Sequence, residues 1–163
     1  MNRKPLLVAL GAAVLASVLF ATVSLAATGS KATAGTTMHL IEHDVSFNFV
    51  PAAPGPRKGD NAKPGDVATF TNYLTTTKGQ RVGHTYATCT ATTGGSNPAL
   101  QCTGTFKLPG GTLIGSALID TTGDAPQRIA ILGGTGAYEG ARGSILSVSK
   151  SQNTSLDTFH LLP

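Results

Sequence analysis

The sequence predicts an all-β protein, a closed eight-stranded antiparallel β-barrel, and three observations lead there. Strand-like runs rich in β-branched and aromatic residues recur eight times: Met38–Val50, Asp66–Thr75, Val82–Thr92, Ala99–Leu108, Thr112–Asp120, Gln127–Leu132, Ala141–Lys150 and Ser155–Leu162. The breaks after the second run, such as Thr77-Lys78-Gly79, Pro109-Gly110-Gly111 and Ser151-Gln152-Asn153, are too short to hold a crossover helix, so neighbouring strands run antiparallel. No segment carries a 3.6-residue apolar period of helical length, so nothing is available to cover a sheet face, and short strands hide their edges best by closing on themselves.

The barrel does not begin at residue 1. Met1-Asn2-Arg3-Lys4 precedes an apolar run from Leu6 to Leu25, and Ser24-Leu25-Ala26 places small residues one and three positions before a break after Ala26. That order predicts a cleaved secretory signal peptide over 1–26 and an exported, extracellular protein. Residues 27–36 (Ala-Thr-Gly-Ser-Lys-Ala-Thr-Ala-Gly-Thr) have nothing to bury and read as a flexible linker, leaving 37–163 as a single barrel domain.

The formal charge of +4 falls by two once Arg3 and Lys4 are removed, and the remaining basic residues are scattered without aromatic interleaving. No nucleic-acid partner is expected, and no membrane contact after cleavage. Association into a homo-oligomer is left open by the sequence.

The first run ends in Pro51–Gly65, where Pro51, Pro54, Pro56 and Pro64 stop the strand and make a long loop. The fourth run is two-faced, with Leu100, Cys102, Phe106 and Leu108 on one side and Gln101, Thr103, Thr105 and Lys107 on the other. Folding Val82–Thr92 back on it about Gly94–Asn97 sets Cys89 opposite Cys102, because antiparallel partners keep a constant sum of residue numbers. In an exported chain the simplest reading is a Cys89–Cys102 disulfide; a buried apolar pair, or one thiol lining a pocket, is the alternative.

Other motifs carry less. His39 and His43 would stand about 13 Å apart on a strand, and no cysteine or histidine cluster has metal-ligand spacing. No metal and no cofactor is expected. The absence of a Gly-x-Ser-x-Gly elbow leaves hydrolase chemistry without support. The glycine-rich stretch Gly133–Gly143 resembles a nucleotide loop, but Ser144-Ile145-Leu146-Ser147-Val148 continues as a strand where a phosphate loop needs a helix N-terminus. Glu42 and Asp44 project from one face of the first strand. Alternation alone would put Ile41, Val45, Phe47 and Phe49 inside and both carboxylates in water.

Three segments carry a family resemblance. Gly133-Gly134-Thr135-Gly136-Ala137-Tyr138-Glu139-Gly140-Ala141-Arg142-Gly143, Asp66–Leu74 and Arg81–Cys89 resemble, in order and spacing, segments of the allene oxide cyclase and dirigent superfamily, and the likeness spans Met38 to Leu162. The resemblance implies a barrel glutamate at Glu42, turned inward against the alternation, with Phe70, Asn72 and Cys89 as substrate-binding residues by comparison with allene oxide cyclases. Comparison with dirigent proteins implies functional roles for His43-Asp44 and for Arg142. A Cys89 bonded to Cys102 would depart from the free pocket cysteine of the cyclases, as Pro51–Gly65 departs from their short loop.

Three functions follow. A cyclising, coupling or isomerising enzyme would fold a small apolar substrate into a reactive shape, with Glu42, Asp44 and Arg142 as the catalytic group. A carrier would hold the same small apolar molecule without chemistry. A structural or adhesion domain would have a filled interior. For the enzyme, Glu42, Asp44 and Arg142 are expected to meet at one mouth or wall, Arg142 offsetting two like charges.

Overall fold

The computed structural model describes residues 35–52, 61–121 and 125–163; the leader 1–26 and nearly all of the linker lie outside them. Eight strands follow one another in chain order: β1 (Thr36–Val50), β2 (Val67–Thr76), β3 (Arg81–Ala91), β4 (Ala99–Leu108), β5 (Gly111–Asp120), β6 (Gln127–Gly136), β7 (Gly143–Ser151) and β8 (Thr154–Leu161). Each pairs antiparallel with the next, and β1 pairs with β8 from Thr36↔Leu161 to His43↔Thr154, closing the barrel. Local chemistry sets the hairpins. Between β4 and β5, Pro109 fixes its own φ and Gly110 takes a positive φ of 89°, the combination a tight type II turn requires.

Two expectations change. Thr36, assigned to the linker, already belongs to β1. The glycine stretch, expected to be a connection from Gly133 onward, is strand as far as Gly136 and pairs with β5 from Ile114↔Gly133 to Gly111↔Gly136. A Cβ at Gly134 would sit 2.5 Å from the carbonyl oxygens of both Thr112 and Tyr138, so only glycine lets β6 and its following turn come this close to β5.

The two ends of the barrel differ. The end formed by the β2–β3, β4–β5 and β6–β7 connections is filled: Leu40, Leu74, Phe106, Leu108, Leu113, Ile131, Ile145 and Phe159 form one core, with Tyr138 and Ala141 of the β6–β7 connection packed against it. Phe106 and Phe159 meet edge to face at 5.3 Å, a favoured aromatic geometry. At the other end lie the end of β1 and the start of β2, the Thr92–Pro98 connection, the end of β5 and the start of β6, and the β7–β8 hairpin. There β5–β6 pairing stops at Ser116↔Ala130 although β5 runs on to Asp120.

Asp66 anchors the long loop. Its fully buried carboxylate accepts hydrogen bonds from the backbone N–H groups of Ala52 (2.9 Å) and Lys63 (2.7 Å), tying the two described ends of the loop together. A bridge between Ala62 and Gly95 joins this loop to the β3–β4 connection.

Candidate functional site

The open half of the barrel contains a cavity of about 200 Å³ lined by Glu42, Phe70, Asn72, Thr85, Cys89, Leu100, Cys102, Phe106, Ile119 and Ile129, among others. Why it is hollow is visible in the inward residues of β3, β4 and β5. Thr85, Ala87, Gly104, Gly115 and Ala117 occupy inward positions in this half, too small to meet across the barrel as Phe106 and Phe159 do below them.

Glu42 reaches this cavity because β1 carries a bulge. Asp44 pairs with Asn72 and Phe47 with Phe70, the register shifting between Asp44 and Ser46 around Val45. The extra residue exchanges the two faces of the strand, so Glu42 and Asp44 before it share a side with Phe47 and Phe49 after it. The simple alternation that grouped Ile41 with Phe47 and Phe49 fails at that bulge. Phe47 contacts Phe70 at 5.1 Å between ring centroids and remains 61% exposed at the rim.

Behind Glu42 stands Asp157, which sequence reasoning missed. On β8, Ser155, Asp157, Phe159 and Leu161 share one face by strict alternation, so an aspartate in step with two core residues was the available signal. Asp157 is 1% exposed. Burial first, then the charge on Glu42 and a hydrogen bond to Glu42, push its carboxyl up from 3.8 to about 7 against the pull of hydrogen bonds from Ser147 and Ser155. Ser155 Oγ donates to Asp157 Oδ1 at 3.3 Å. Asp157 thus holds its proton up to about neutrality, beside Glu42.

The two carboxyls hydrogen-bond to each other through the proton on Asp157. Apart from that bond, Glu42 Oε1, Asn72 Oδ1, Thr85 Oγ1 and Asp157 Oδ2 are buried and have no hydrogen-bond partner among the described residues. Buried polar groups are normally satisfied, and an orphan costs about 1–3 kcal/mol. Glu42, Asn72 and Thr85 line the cavity, and register sets the latter two side by side, Asn72 pairing with Thr85 across β2 and β3. The cavity thus has apolar walls and a polar corner.

The structure brings together only part of the expected set. Phe70, Asn72 and Glu42 line the cavity, and Cys89 does so as half of a disulfide with Cys102, the two paired across β3 and β4. That bond decides between the alternatives left open for these cysteines. Asp44 is on the same face as Glu42 but exposed, in an open recess with Phe47, Phe70, Asn72 and Asn153. The expected meeting with Arg142 does not occur. Arg142 is exposed at the opposite, packed end, where its guanidinium donates to the Pro163 carbonyl oxygen at 2.7 Å. Asp44 lies beside Asn153 at the start of β8 and Arg142 beside Leu162 past its end, a separation of roughly 30 Å at ordinary strand rise.

His43 faces outward, stacked on Tyr73 at 4.5 Å and bonded through Nε2 to Thr75 Oγ1 at 3.1 Å. His39, His84 and His160 bond Thr158, Arg81 and Thr37 respectively. Among the described residues no group of three or more histidine, cysteine, aspartate or glutamate side chains is placed to hold a metal.

Comparison with known proteins agrees with this architecture. The family described as the allene oxide cyclase barrel like domain matches residues 48–159. No curated protein matches the sequence significantly. Among solved structures, a pyocyanin demethylase is 24% identical over 77% of this chain and 99% of its own, with a TM-score of 0.65. A pterocarpan synthase dirigent protein is 21% identical over 80% of this chain and 95% of its own, at a TM-score of 0.59. The Diels Alderase AbmU from Streptomyces koyangensis is 18% identical over 83% of this chain and 72% of its own, at 0.60.

Proposed function

The chain belongs to the allene oxide cyclase barrel-like family, and from that premise we propose that it is an exported barrel that binds a small, largely apolar molecule in its open half and steers the cyclisation, coupling or isomerisation of that molecule. The observation that carries this reading is a hollow, apolar half-barrel with an ionisable pair, Glu42 and Asp157, at its polar corner. Walls formed by Phe70, Leu100, Phe106, Ile119 and Ile129 restrict a flexible substrate to folded shapes, which removes part of the entropic barrier to ring closure. Glu42 is the group that touches the ligand. It accepts a proton or stabilises positive charge that develops in the transition state, and Asp157 acts through it, holding a proton in reserve.

The neighbours named for demethylation, pterocarpan synthesis and Diels–Alder chemistry support a small-molecule site in this fold rather than one particular reaction. Export is supported by the Cys89–Cys102 bond, which persists in oxidising compartments. The hollow interior argues against a purely structural barrel.

The test is native mass spectrometry of the exported protein for a co-purified ligand, followed by single-turnover measurements with that ligand's precursor. Glu42→Gln is expected to lower turnover about a hundredfold or more while retaining binding. Unchanged turnover would remove Glu42 from the chemistry, and binding without turnover in the unaltered protein would make it a carrier.

A further inference from the structure

The polar corner has a definite sign. Its buried polar atoms include three carboxyl or amide oxygens (Glu42 Oε1, Asn72 Oδ1 and Asp157 Oδ2) and one hydroxyl, that of Thr85; the proton on Asp157 serves the hydrogen bond to Glu42, so the carboxyl pair carries one negative charge between its two members. The Glu42 carboxylate therefore lies in an acceptor-rich corner. Among the described residues no lysine, arginine or histidine lines the cavity, and none contributes to the electrostatics of Asp157. A buried charge without a partner is costly, and proteins ordinarily match it with a cation. None is supplied among the described residues, and the cavity beside Glu42 has room for one. Two phenylalanine rings, Phe70 and Phe106, form part of its wall, and ring faces attract cations.

We propose that the cavity takes an organic cation, a protonated amine, whose nitrogen meets Glu42, Asn72 and Thr85 and whose apolar body lies against Phe70, Phe106, Leu100 and Ile129. The inference rests on the reading that the open half is a ligand site, and adds to it the charge of the ligand. Size follows from volume. A dry cavity of about 150 Å³ accepts benzene, and drug-sized sites run to roughly 300–1,000 Å³. At about 200 Å³ the site suits a single ring with a short chain, or a compact bicycle. Asn72 and Thr85, 8% and 5% exposed, are positioned to fix the orientation of the nitrogen, Asn72 accepting its N–H group.

Three probes of matched shape separate charge from fit: 4-phenylbutylamine, 4-phenylbutan-1-ol and 4-phenylbutyrate, titrated calorimetrically into the exported, disulfide-bonded protein near pH 8. The amine is expected to bind about tenfold more tightly than the alcohol, from charge-assisted hydrogen bonding and ring attraction together, and the carboxylate more weakly than either. Glu42→Gln and Asp157→Asn singly each leave one carboxyl group that can ionise, so both should keep the preference; the double variant should bind amine and alcohol alike. Equal binding of amine and alcohol by the unaltered protein overturns the cation assignment and leaves the ligand site standing. Preference for the amine surviving in a double variant that still binds the alcohol overturns it too. Failure of all three probes to bind the unaltered protein overturns the ligand site and the assignment together. The comparison within the unaltered protein decides the matter even if the double variant does not fold.

Discussion

The packed and hollow halves of this barrel are built from the same eight strands, yet one is a core and the other a site. In the packed half the inward positions hold Leu40, Leu74, Phe106, Leu113, Ile145 and Phe159, which meet at the axis. In the hollow half the same strands turn inward Asn72, Thr85, Ala87, Gly104, Gly115 and Ala117. The difference teaches that alternation sets which residues face the axis, whereas side-chain size sets whether the axis is filled. Polar groups then collect where filling stops, because only there can a ligand or solvent satisfy them.

The largest contrast should come from truncation. Phe159 is fully buried and contacts Phe106, so Phe159→Ala removes both transfer energy and packing and should cost about 3–5 kcal/mol. Leu100→Ala in the cavity wall, only partly buried, should cost about 1 kcal/mol or less. Urea denaturation midpoints of the two variants measure the difference. Equal losses would mean that the hollow half is packed in solution.

The second test concerns Asp157. Its folded-state pKa of about 7 stands above its ordinary value of 3.8. Below about pH 4 folded and unfolded chains both hold this proton; between there and about pH 7 only the folded chain does, so the unfolded chain gains relative stability as the pH rises and the effect levels off above 7. Asp157→Asn removes the dependence, and at pH 8 it should raise stability by up to roughly 4 kcal/mol. Thermal melts at pH 5 and pH 8 would show the unaltered protein losing stability between them and the variant staying level. A variant less stable than the parent at pH 8 would show that the buried carboxylate is compensated by a partner.

How much of this was legible in the sequence divides along the same line. The hairpins could be read because turn chemistry is local: Pro109-Gly110 and the Gly94–Asn97 connection mark where strands reverse, and the second of these places Cys89 against Cys102. The inward turn of Glu42 could not be read from alternation, because the bulge at Val45 adds one residue to a strand of otherwise ordinary pattern. Residue type gives no warning of it, since Val45 is a good strand former. Asp157 was legible and went unread: it is in step with Phe159, yet it has no motif around it. Arg142 shows the opposite failure. A match to a family position placed it in the site, but chain register puts it at the far end of β8, where it binds a backbone carbonyl. The gradient of inward side-chain size along β3 to β5, which creates the cavity, was also written in the sequence. It becomes meaningful only once register aligns the small residues of neighbouring strands at one height.

The disulfide belongs to the hollow half, where packing contributes least, and closes a loop with a sequence separation of 13. Replacing both cysteines by alanine should therefore cost about 2–3 kcal/mol, and calorimetric melts of the oxidised protein and the double variant would measure it. Because both cysteines line the cavity, the double variant should also bind any ligand more weakly, whereas Phe159→Ala, on the packed side, should leave affinity nearly intact in the fraction that folds. Loss of affinity in the second and not the first would reverse the assignment of the halves.

The smallest expected effect is the sharpest test of why the cavity is there. Gly104 faces it, and a Cβ at that position would meet the Ala87 methyl at 3.6 Å and the Phe106 ring at 3.9 Å, both ordinary contacts. Its φ is not positive, so alanine is not strained there. Glycine inside a strand is worse than alanine by roughly 0.5–1 kcal/mol through its greater freedom when unfolded, so Gly104→Ala should stabilise the protein by about that amount. Gly115 makes the control, because a Cβ there would lie 2.8 Å from the Ile129 side chain and alanine should gain less or destabilise. If the cavity exists to hold a ligand, the more stable Gly104→Ala protein should bind that ligand, or the amine probe, several-fold less tightly, since the added methyl occupies its volume. A variant that is more stable and binds equally well would mean that the ligand does not reach this wall, and would confine the site to the corner formed by Glu42, Asn72 and Thr85.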